Sequence, residues 1–174
     1  MGRNKEEERK IKKILSKIAI PSVIDADALF FLAQKPSFEI PKQAILTPHT
    51  GEMKRLLKAH DLLEKDLLSG CQLYVEKKQT TLLLKGAPNI LFSPQETPLI
   101  LPFGNPGMAT AGYGDVLSGA LGALLSQGLT TRSAAILGCY LHGKAGDMAT
   151  KESSFFGITA SDILHFLPKA FIFL

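Results

Sequence analysis

This sequence of 174 residues lacks several features that mark special classes of protein. It contains no tryptophan and only two cysteines, Cys71 and Cys139, which lie in apolar patterns without the spacing of a metal site. We therefore expect reduced, buried thiols of a cytoplasmic protein. Gly and Pro interrupt every long apolar run, and the charged amino terminus is not followed by an apolar core. Neither a membrane helix nor a signal peptide is expected.

What the sequence does contain is typical of an ordinary globular domain. Apolar residues make up 45% and charged residues 21%, and the length fits one domain over residues 1–174. The net charge of +4 comes from residues 1–17, which hold seven basic and three acidic residues. Because this excess is confined to one amphipathic segment, a solvated helix face is favoured over a nucleic-acid surface, and no nucleic-acid partner is expected.

Alternating apolar patterns predict an α/β fold. Short buried strands are predicted over residues 20–24, 44–46 and 81–84. Helices are predicted around them, over residues 4–19, 28–34, 52–58 and 64–78, with Asp27 as the N-cap of the second. A hairpin over 89–92 and 98–101 is followed by helices over 115–127, 131–150 and 160–167. This order predicts a mostly parallel sheet with helices on both faces.

The densest candidate site is the glycine-rich segment that ends at Asp115. Seven of the 15 glycines lie between Gly104 and Gly128, and the helix predicted next is apolar or small on all sides. Such a helix must be buried, so the N–H groups of its first turn can bind an anion. On spacing alone, a phosphate site and a loop in which Asp115 merely caps the helix are equally good interpretations. The position of Asp115 favours the phosphate site. A carboxylate repels a phosphate, so it is expected beside one only where it has a chemical role, such as accepting a proton from an attacking hydroxyl.

Three further polar residues follow predicted strands. Asp25, His49 and Lys85 each come at or just after the carboxyl end of a strand, where parallel sheets bind ligands. We expect them to share one rim with the glycine-rich segment, although a surface lysine is an equally good interpretation of Lys85 alone. Residues 138–144 have the spacing of a phosphate-binding loop, but the required hydroxyl is missing and the segment is predicted to be mid-helix. His142 is interpreted as a packing residue.

Four segments of the chain resemble the NAD(P)H-hydrate dehydratases, a family with the ribokinase-like fold. The matching sequences are VIDADAL, LTPHTGE, LKGA and GNPGMAT with GDVLSG, at residues 23–29, 46–52, 84–87, 104–110 and 114–119. They occur in the family's order. The resemblance implies a repair reaction, in which ADP or ATP phosphorylates the ring hydroxyl of hydrated NADH or NADPH. Phosphate is then eliminated and the ring double bond is restored.

The resemblance also implies roles for individual residues. Asp115 would be the base acting on the hydroxyl, and it would contact the hydrate together with His49 and Asn105. The residues around the transferred phosphoryl group would be Thr110, Ala111, Gly112, Tyr113 and Gly114. The nucleotide would contact Lys85, Gly86, Ala87, Pro88 and Asn89. Mg²⁺ is expected on the phosphates with unknown protein ligands, Asp25 being one candidate, and members of the family are commonly homotetramers.

The sequence departs from the family's pattern in three places. Thr50 replaces the usual proline after His49, and Tyr113 replaces a threonine. Residues 1–3 resemble the end of an upstream Gly-Pro-Gly loop, so we expect the domain to lack its amino-terminal part and to expose an apolar patch beside residues 20–24. Two alternatives stay open, a kinase of the same fold for a small molecule such as a vitamin precursor, and a nucleotide-binding fragment without catalysis.

Overall fold

Helices and strands alternate along the chain in this computed structural model, which describes residues 5–63 and 66–174. The α-helices are α1 (Lys5–Leu15), α2 (Asp27–Gln34), α3 (Thr50–Ala59), α4 (Leu67–Lys78), α5 (Tyr113–Ser126), α6 (Thr131–Glu152) and α7 (Ala160–Ala170). The strands are β1 (Ser22–Ile24), β2 (Ala44–Leu46), β3 (Thr81–Leu84), β4 (Asn89–Phe92) and β5 (Leu99–Leu101). The predicted helix starts at residues 4 and 64, and the loop end at residues 1–3, lie outside the described residues.

The five strands form one mixed sheet in the order β1-β2-β3-β4-β5. β1, β2 and β3 are parallel neighbours, and β4 and β5 add an antiparallel hairpin at the side of β3. The hairpin is confirmed as predicted. The predicted site lies on the parallel strands β1, β2 and β3, because all three end at the same rim of the sheet.

Both faces of the sheet are covered by helices. Along β2, Ala44 and Leu46 pack into a core formed with α1 to α4, whereas Ile45 packs into a second core with α5 and α6. The side chains of a strand alternate between faces, so a strand buried on both sides must be apolar at every position. A third apolar cluster joins α5, α6 and α7.

Several helix boundaries differ from the predictions, among them the end of α1 and the start of α2. α1 ends at Leu15 rather than near residue 19, because the backbone N–H of Lys17 bonds three residues back instead of four. Asp27 is the first residue of α2 and not its N-cap. The N-cap is Ala26, whose N–H donates to the Asp25 carboxylate at 2.8 Å and whose φ is 51°.

The strand β1 lies at one edge of the sheet, paired on one side only within the described chain. This edge position agrees with the expectation of an uncovered strand, and Ile20 just before it is 69% exposed. The exposed apolar patch itself stays a prediction. No described helix is both long and apolar enough to cross a membrane.

Candidate active site

The carboxyl ends of β1, β2 and β3 bring Asp25, His49 and Lys85 to one rim of the sheet, as predicted. His49 and Lys85 form an isolated parallel bridge, and the Lys85 N–H donates to the Pro48 carbonyl at 2.8 Å. The Lys85 Nζ lies 2.8 Å from Asp25 Oδ1. Residues that are far apart in sequence therefore meet because parallel strands end together.

The Asp25 carboxylate is fixed by three donors. Oδ1 accepts from the Lys85 ammonium and from the Ala26 N–H, each at 2.8 Å, and Oδ2 accepts from Ser118 Oγ at 2.8 Å. The side chains of Asp25 and Lys85 are only 14% and 22% exposed. Charge-assisted bonds of this length in a partly buried setting are stronger than surface ion pairs. The ammonium is therefore held in one place.

The amino end of α5 lies directly beside this ion pair. The helix begins at Tyr113, two residues earlier than predicted, after Gly112 as N-cap with φ 90°. A Cβ added to Gly114 would lie 3.4 Å from Lys85 Nζ, so the ammonium sits over the first helical turn. The first N–H groups of a helix have no partner within the helix. Together with the ammonium they make this turn attractive to an anion.

Asp115 lies in the same first turn, where its side chain is exposed. Its carboxylate makes no hydrogen bond or ion pair with any residue of the described chain. The interpretation in which Asp115 merely caps the helix is therefore wrong, because Gly112 holds the cap position. The carboxylate is available to a ligand.

A cavity of about 840 Å³ opens next to this turn, within the range of small-molecule sites. It is lined by residues 85–89, 102–106, 108, 109, 113, 114, 117 and 142. The predicted site residues among them are Lys85, Gly86, Ala87, Pro88, Asn89, Asn105, Tyr113 and Gly114. The predicted residues that do not line it are His49, Thr110, Ala111, Gly112 and Asp115. The predicted nucleotide contacts at 85–89 thus share one cavity, and the predicted base lies just outside it.

His49 has a structural task that the sequence did not reveal. It is the N-cap of α3, and its Nδ1 accepts from the N–H groups of Gly51 at 3.0 Å and Glu52 at 3.4 Å. The Glu52 carboxylate in turn accepts from the His49 N–H at 2.9 Å, which completes a capping box. The box starts α3 at Thr50 instead of residue 52. The His49 side chain is 56% exposed and its Nε2 lies 3.6 Å from Glu52 Oε1, so a ligand that bonds Nε2 must approach beside this carboxylate.

Asn105 also has partners within the protein. Its Oδ1 accepts from the Gly107 N–H at 3.1 Å and caps a short 3-10 turn over Pro106–Met108, while its Nδ2 donates to Asp147 Oδ1 at 2.8 Å. Asp147 lies on α6, and sequence reasoning missed it because nothing local links it to Asn105. The amide therefore ties the glycine-rich segment to α6.

Tyr113 and His142, which both line the cavity, contact each other edge to face with ring centroids 6.5 Å apart. Both are buried, and the Tyr113 hydroxyl and His142 Nε2 have no partner among the described residues. Burial lowers the pKa of His142 to about 4, while hydrogen bonding to the Tyr113 backbone acts in the opposite direction. His142 is thus a neutral, mid-helix residue at neutral pH, which agrees with its interpretation as a packing residue.

Comparison with known proteins identifies the family. The sequence profile of the NAD(P)H-hydrate dehydratases matches residues 1–169. The chain belongs to the NAD(P)H-hydrate dehydratase family. It is 44% identical over 161 residues to the bifunctional NAD(P)H-hydrate repair enzyme of Moorella thermoacetica, and 39% identical over 170 residues to that of Vibrio cholerae. These matches cover 91% and 97% of this chain but 30% and 34% of the relatives, so the chain spans about a third of their length.

Solved structures show that this dehydratase-family chain has the ribokinase-like fold. A ribokinase-like protein of Enterococcus faecalis superposes with a TM-score of 0.82 at 28% identity, covering 97% of this chain and 59% of that one. The ADP/ATP-dependent NAD(P)H-hydrate dehydratase of Bacillus subtilis, crystallised with ATP/Mg²⁺, gives 0.81 at 26% identity, covering 99% and 61%. The predicted fold class and family are confirmed.

The described part of the dehydratase-family site has no cluster of side chains that would bind a metal ion by themselves. Within residues 5–63 and 66–174, no group of three His, Cys, Asp or Glu side chains is placed to hold a metal ion. Both Asp25 oxygens already accept hydrogen bonds from protein donors, and the suggestion that Asp25 lies near Mg²⁺ stays a prediction.

Proposed function

We propose that this chain uses ADP or ATP to convert the hydrates of NADH and NADPH back to the reduced cofactors. The observation that carries the proposal is the position of Asp115, exposed in the first turn of α5 beside Gly114 and the Lys85 ammonium. Membership of the family supports the same reaction. Because the chain spans only part of its relatives, the activity of this chain is itself part of the proposal.

The nucleotide would occupy the cavity and place its phosphates at the amino end of α5. Residues 85–89 would contact it along one wall, where the Gly86 N–H donates to Asn89 Oδ1 at 3.1 Å and shapes the turn. Residues 110–114 would surround the transferred phosphoryl group with backbone N–H groups. Tyr113 fits this role despite replacing a threonine, because its buried side chain leaves its backbone at the helix start.

Asp115 would accept the proton of the ring hydroxyl while that oxygen attacks the terminal phosphorus. The bond from phosphorus to the nucleotide breaks, which releases AMP from ADP or ADP from ATP. The carbon–oxygen bond of the phosphorylated intermediate then breaks, the neighbouring carbon loses a proton, and phosphate leaves as the double bond forms. His49 Nε2 and Asn105 would contact the hydrate, with Asn105 also holding the glycine-rich segment in place.

Mg²⁺ would arrive bound to the nucleotide phosphates. The Bacillus subtilis relative was crystallised with ATP/Mg²⁺, and Mg²⁺ commonly binds substrate phosphates and water with few protein ligands. When bound, it neutralises phosphate charge during transfer. We further propose that the protein is cytoplasmic, which the two free, buried cysteines support. We also propose a homotetramer, because members of the family are commonly tetrameric.

The test follows the absorbance of reduced nicotinamide when NADPH hydrate is incubated with ADP or ATP. We expect recovery with one or both nucleotides and release of inorganic phosphate. Asp115→Asn should lower turnover by about 10²- to 10⁴-fold, the usual contribution of a general base. Asp61→Asn removes another exposed carboxylate, far from the site in sequence, and should leave turnover unchanged.

Three results would contradict the proposal. Full activity of Asp115→Asn would remove the assigned base. A stable phosphorylated product in place of free phosphate would identify a kinase. Nucleotide binding without any turnover would identify the non-catalytic alternative.

A further inference from the structure

Side chains from three elements meet at the active-site rim in a way that the proposed steps do not use. Asp25 follows β1, Lys85 follows β3, and Ser118 lies in the second turn of α5. The Asp25 carboxylate bonds Lys85 Nζ through Oδ1 and Ser118 Oγ through Oδ2, each at 2.8 Å. This chain of bonds joins the sheet to the helix whose first turn would receive the phosphoryl group.

The chain of bonds restricts a side chain that is otherwise very flexible. A lysine side chain has many rotamers and loses much conformational entropy when it is held in one of them, so an unheld Lys85 would sample many positions. Asp25 supplies the partner, and Ser118 with the Ala26 N–H prevents the carboxylate itself from rotating. The ammonium is thereby kept where a Cβ of Gly114 would lie only 3.4 Å from it.

We infer that Asp25 and Ser118 are positioning residues, which hold the Lys85 ammonium over the first turn of α5 for the phosphoryl group in transfer. The inference rests on the proposed function. It carries a distinctive signature, because Asp25 also contributes a negative charge near the phosphates. Removing that charge should reduce repulsion of the nucleotide phosphates and so offset the weaker hold of a released Lys85 on the nucleotide, whereas release of the ammonium should slow transfer. The variants should therefore lower kcat without raising the KM for ADP.

The experiment compares Asp25→Asn and Ser118→Ala with wild type in two measurements. Steady-state kinetics gives kcat and the KM for ADP. Mass spectrometry gives the rate at which acetic anhydride acetylates Lys85, with exposed Lys54 as the internal reference. Ser126→Ala is the matched control, since this serine lies on the same helix but bonds only a backbone carbonyl of that helix.

We expect wild-type Lys85 to react more slowly than Lys54 and to react several-fold faster in both variants. Loss of a charged hydrogen bond should lower kcat about tenfold in Asp25→Asn, and loss of the weaker one about threefold in Ser118→Ala, with no rise in the KM for ADP. Ser126→Ala should match wild type in both measurements. Thermal unfolding checks that each variant is folded, and Ser118→Thr, which keeps the hydroxyl, should retain kcat.

Several outcomes would overturn the inference while leaving the proposed function intact. These are an acetylation rate of wild-type Lys85 equal to that of Lys54, a lower kcat without faster acetylation, an unchanged kcat, or a KM for ADP that rises in step with the loss of kcat. If wild type shows no ADP-dependent turnover at all, the proposed function and the inference both fail.

Discussion

Gly143 of α6 packs directly against the backbone at Gly104, where a Cβ on Gly143 would lie 2.6 Å from the Gly104 nitrogen. Real Cβ atoms do not approach that closely, so α6 and the glycine-rich segment touch only because residue 143 has no side chain. Residues 138–144 have the glycine spacing of a phosphate-binding loop but lie within a helix. The close contact explains why residue 143 of this stretch is a glycine. The glycine serves helix-to-loop packing next to the cavity.

Gly143→Ala should therefore destabilise the protein by about 1–3 kcal/mol, the usual cost of overpacking, and weaken ADP binding by displacing the cavity wall. Gly122→Ala on α5 is the matched control, since no atom lies within 4 Å of its added Cβ. That variant should be up to about 1 kcal/mol more stable, because Ala favours a helix over Gly. Urea unfolding and ADP titration measure both effects. Equal stability of the two variants would contradict the proposed close contact.

The sequence predicts the elements well and their side-chain bonds poorly, for a physical reason. The strands β2 and β3 are predicted to the residue, because burial on both faces makes them continuously apolar. The meeting of Asp25, His49 and Lys85 follows from parallel strands ending at one rim. The bond from Asp25 to Ser118 spans 93 positions, and no local pattern encodes it. In hindsight, Ser118 lies one turn after Gly114 on the same helix face, which is a weak signal.

Helix starts show the same division between local and non-local causes. The sequence suggests Asp27 as a cap because aspartate is a common N-cap residue, yet the neighbouring Asp25 carboxylate takes the Ala26 N–H and moves the helix start. At α3 the cap is a histidine, a residue that sequence rules for caps do not include. Both of these unexpected N-caps lie at the active-site rim, where the residues needed for function can differ from those that local helix-capping preferences favour.

The Tyr113 hydroxyl is buried without a partner in the described chain, so removing it should not harm the protein. Tyr113→Phe should leave the free energy of unfolding unchanged or raise it by about 1 kcal/mol, since an unpaired buried polar group is unfavourable. ADP affinity should not change, because only the Tyr113 backbone is proposed to contact the phosphates. Calorimetry and thermal unfolding test this directly. Weaker ADP binding in Tyr113→Phe would show that the hydroxyl itself contacts the nucleotide.

The two tasks of His49 can be separated by substitution. His49→Asn keeps a side-chain acceptor at the N-cap of α3 and should unfold like wild type, whereas His49→Ala should lose about 1 kcal/mol. Both variants lack the imidazole Nε2 that is proposed to contact the hydrate. Their KM for NADPH hydrate should therefore be higher than that of wild type, while their KM for ADP should be unchanged. Thermal unfolding and steady-state kinetics distinguish these effects. If only His49→Ala raises the KM for the hydrate, the histidine acts through the cap alone.

Buried histidines should make the fold sensitive to mild acid. Burial lowers the pKa of His142 to about 4, well below the ordinary value of 6.5, so between these pH values the unfolded chain binds a proton that the folded chain does not. Stability contributed by neutral His142 is therefore present above pH 6.5 and is lost as the pH falls towards 4. From pH 7 to pH 5 the loss should be about 2 kcal/mol for this residue, at about 1.4 kcal/mol per pH unit. Urea unfolding at both pH values measures it.

His142→Gln cannot titrate, so its stability should fall less between pH 7 and pH 5 than that of wild type. The dependence should not vanish, because burial also lowers the pKa of His60 to about 4. The double variant His60→Gln/His142→Gln should therefore show the smallest change of the three proteins. An equal loss of stability in wild type and in His142→Gln would mean that His142 takes up its proton in the folded protein at its ordinary pKa.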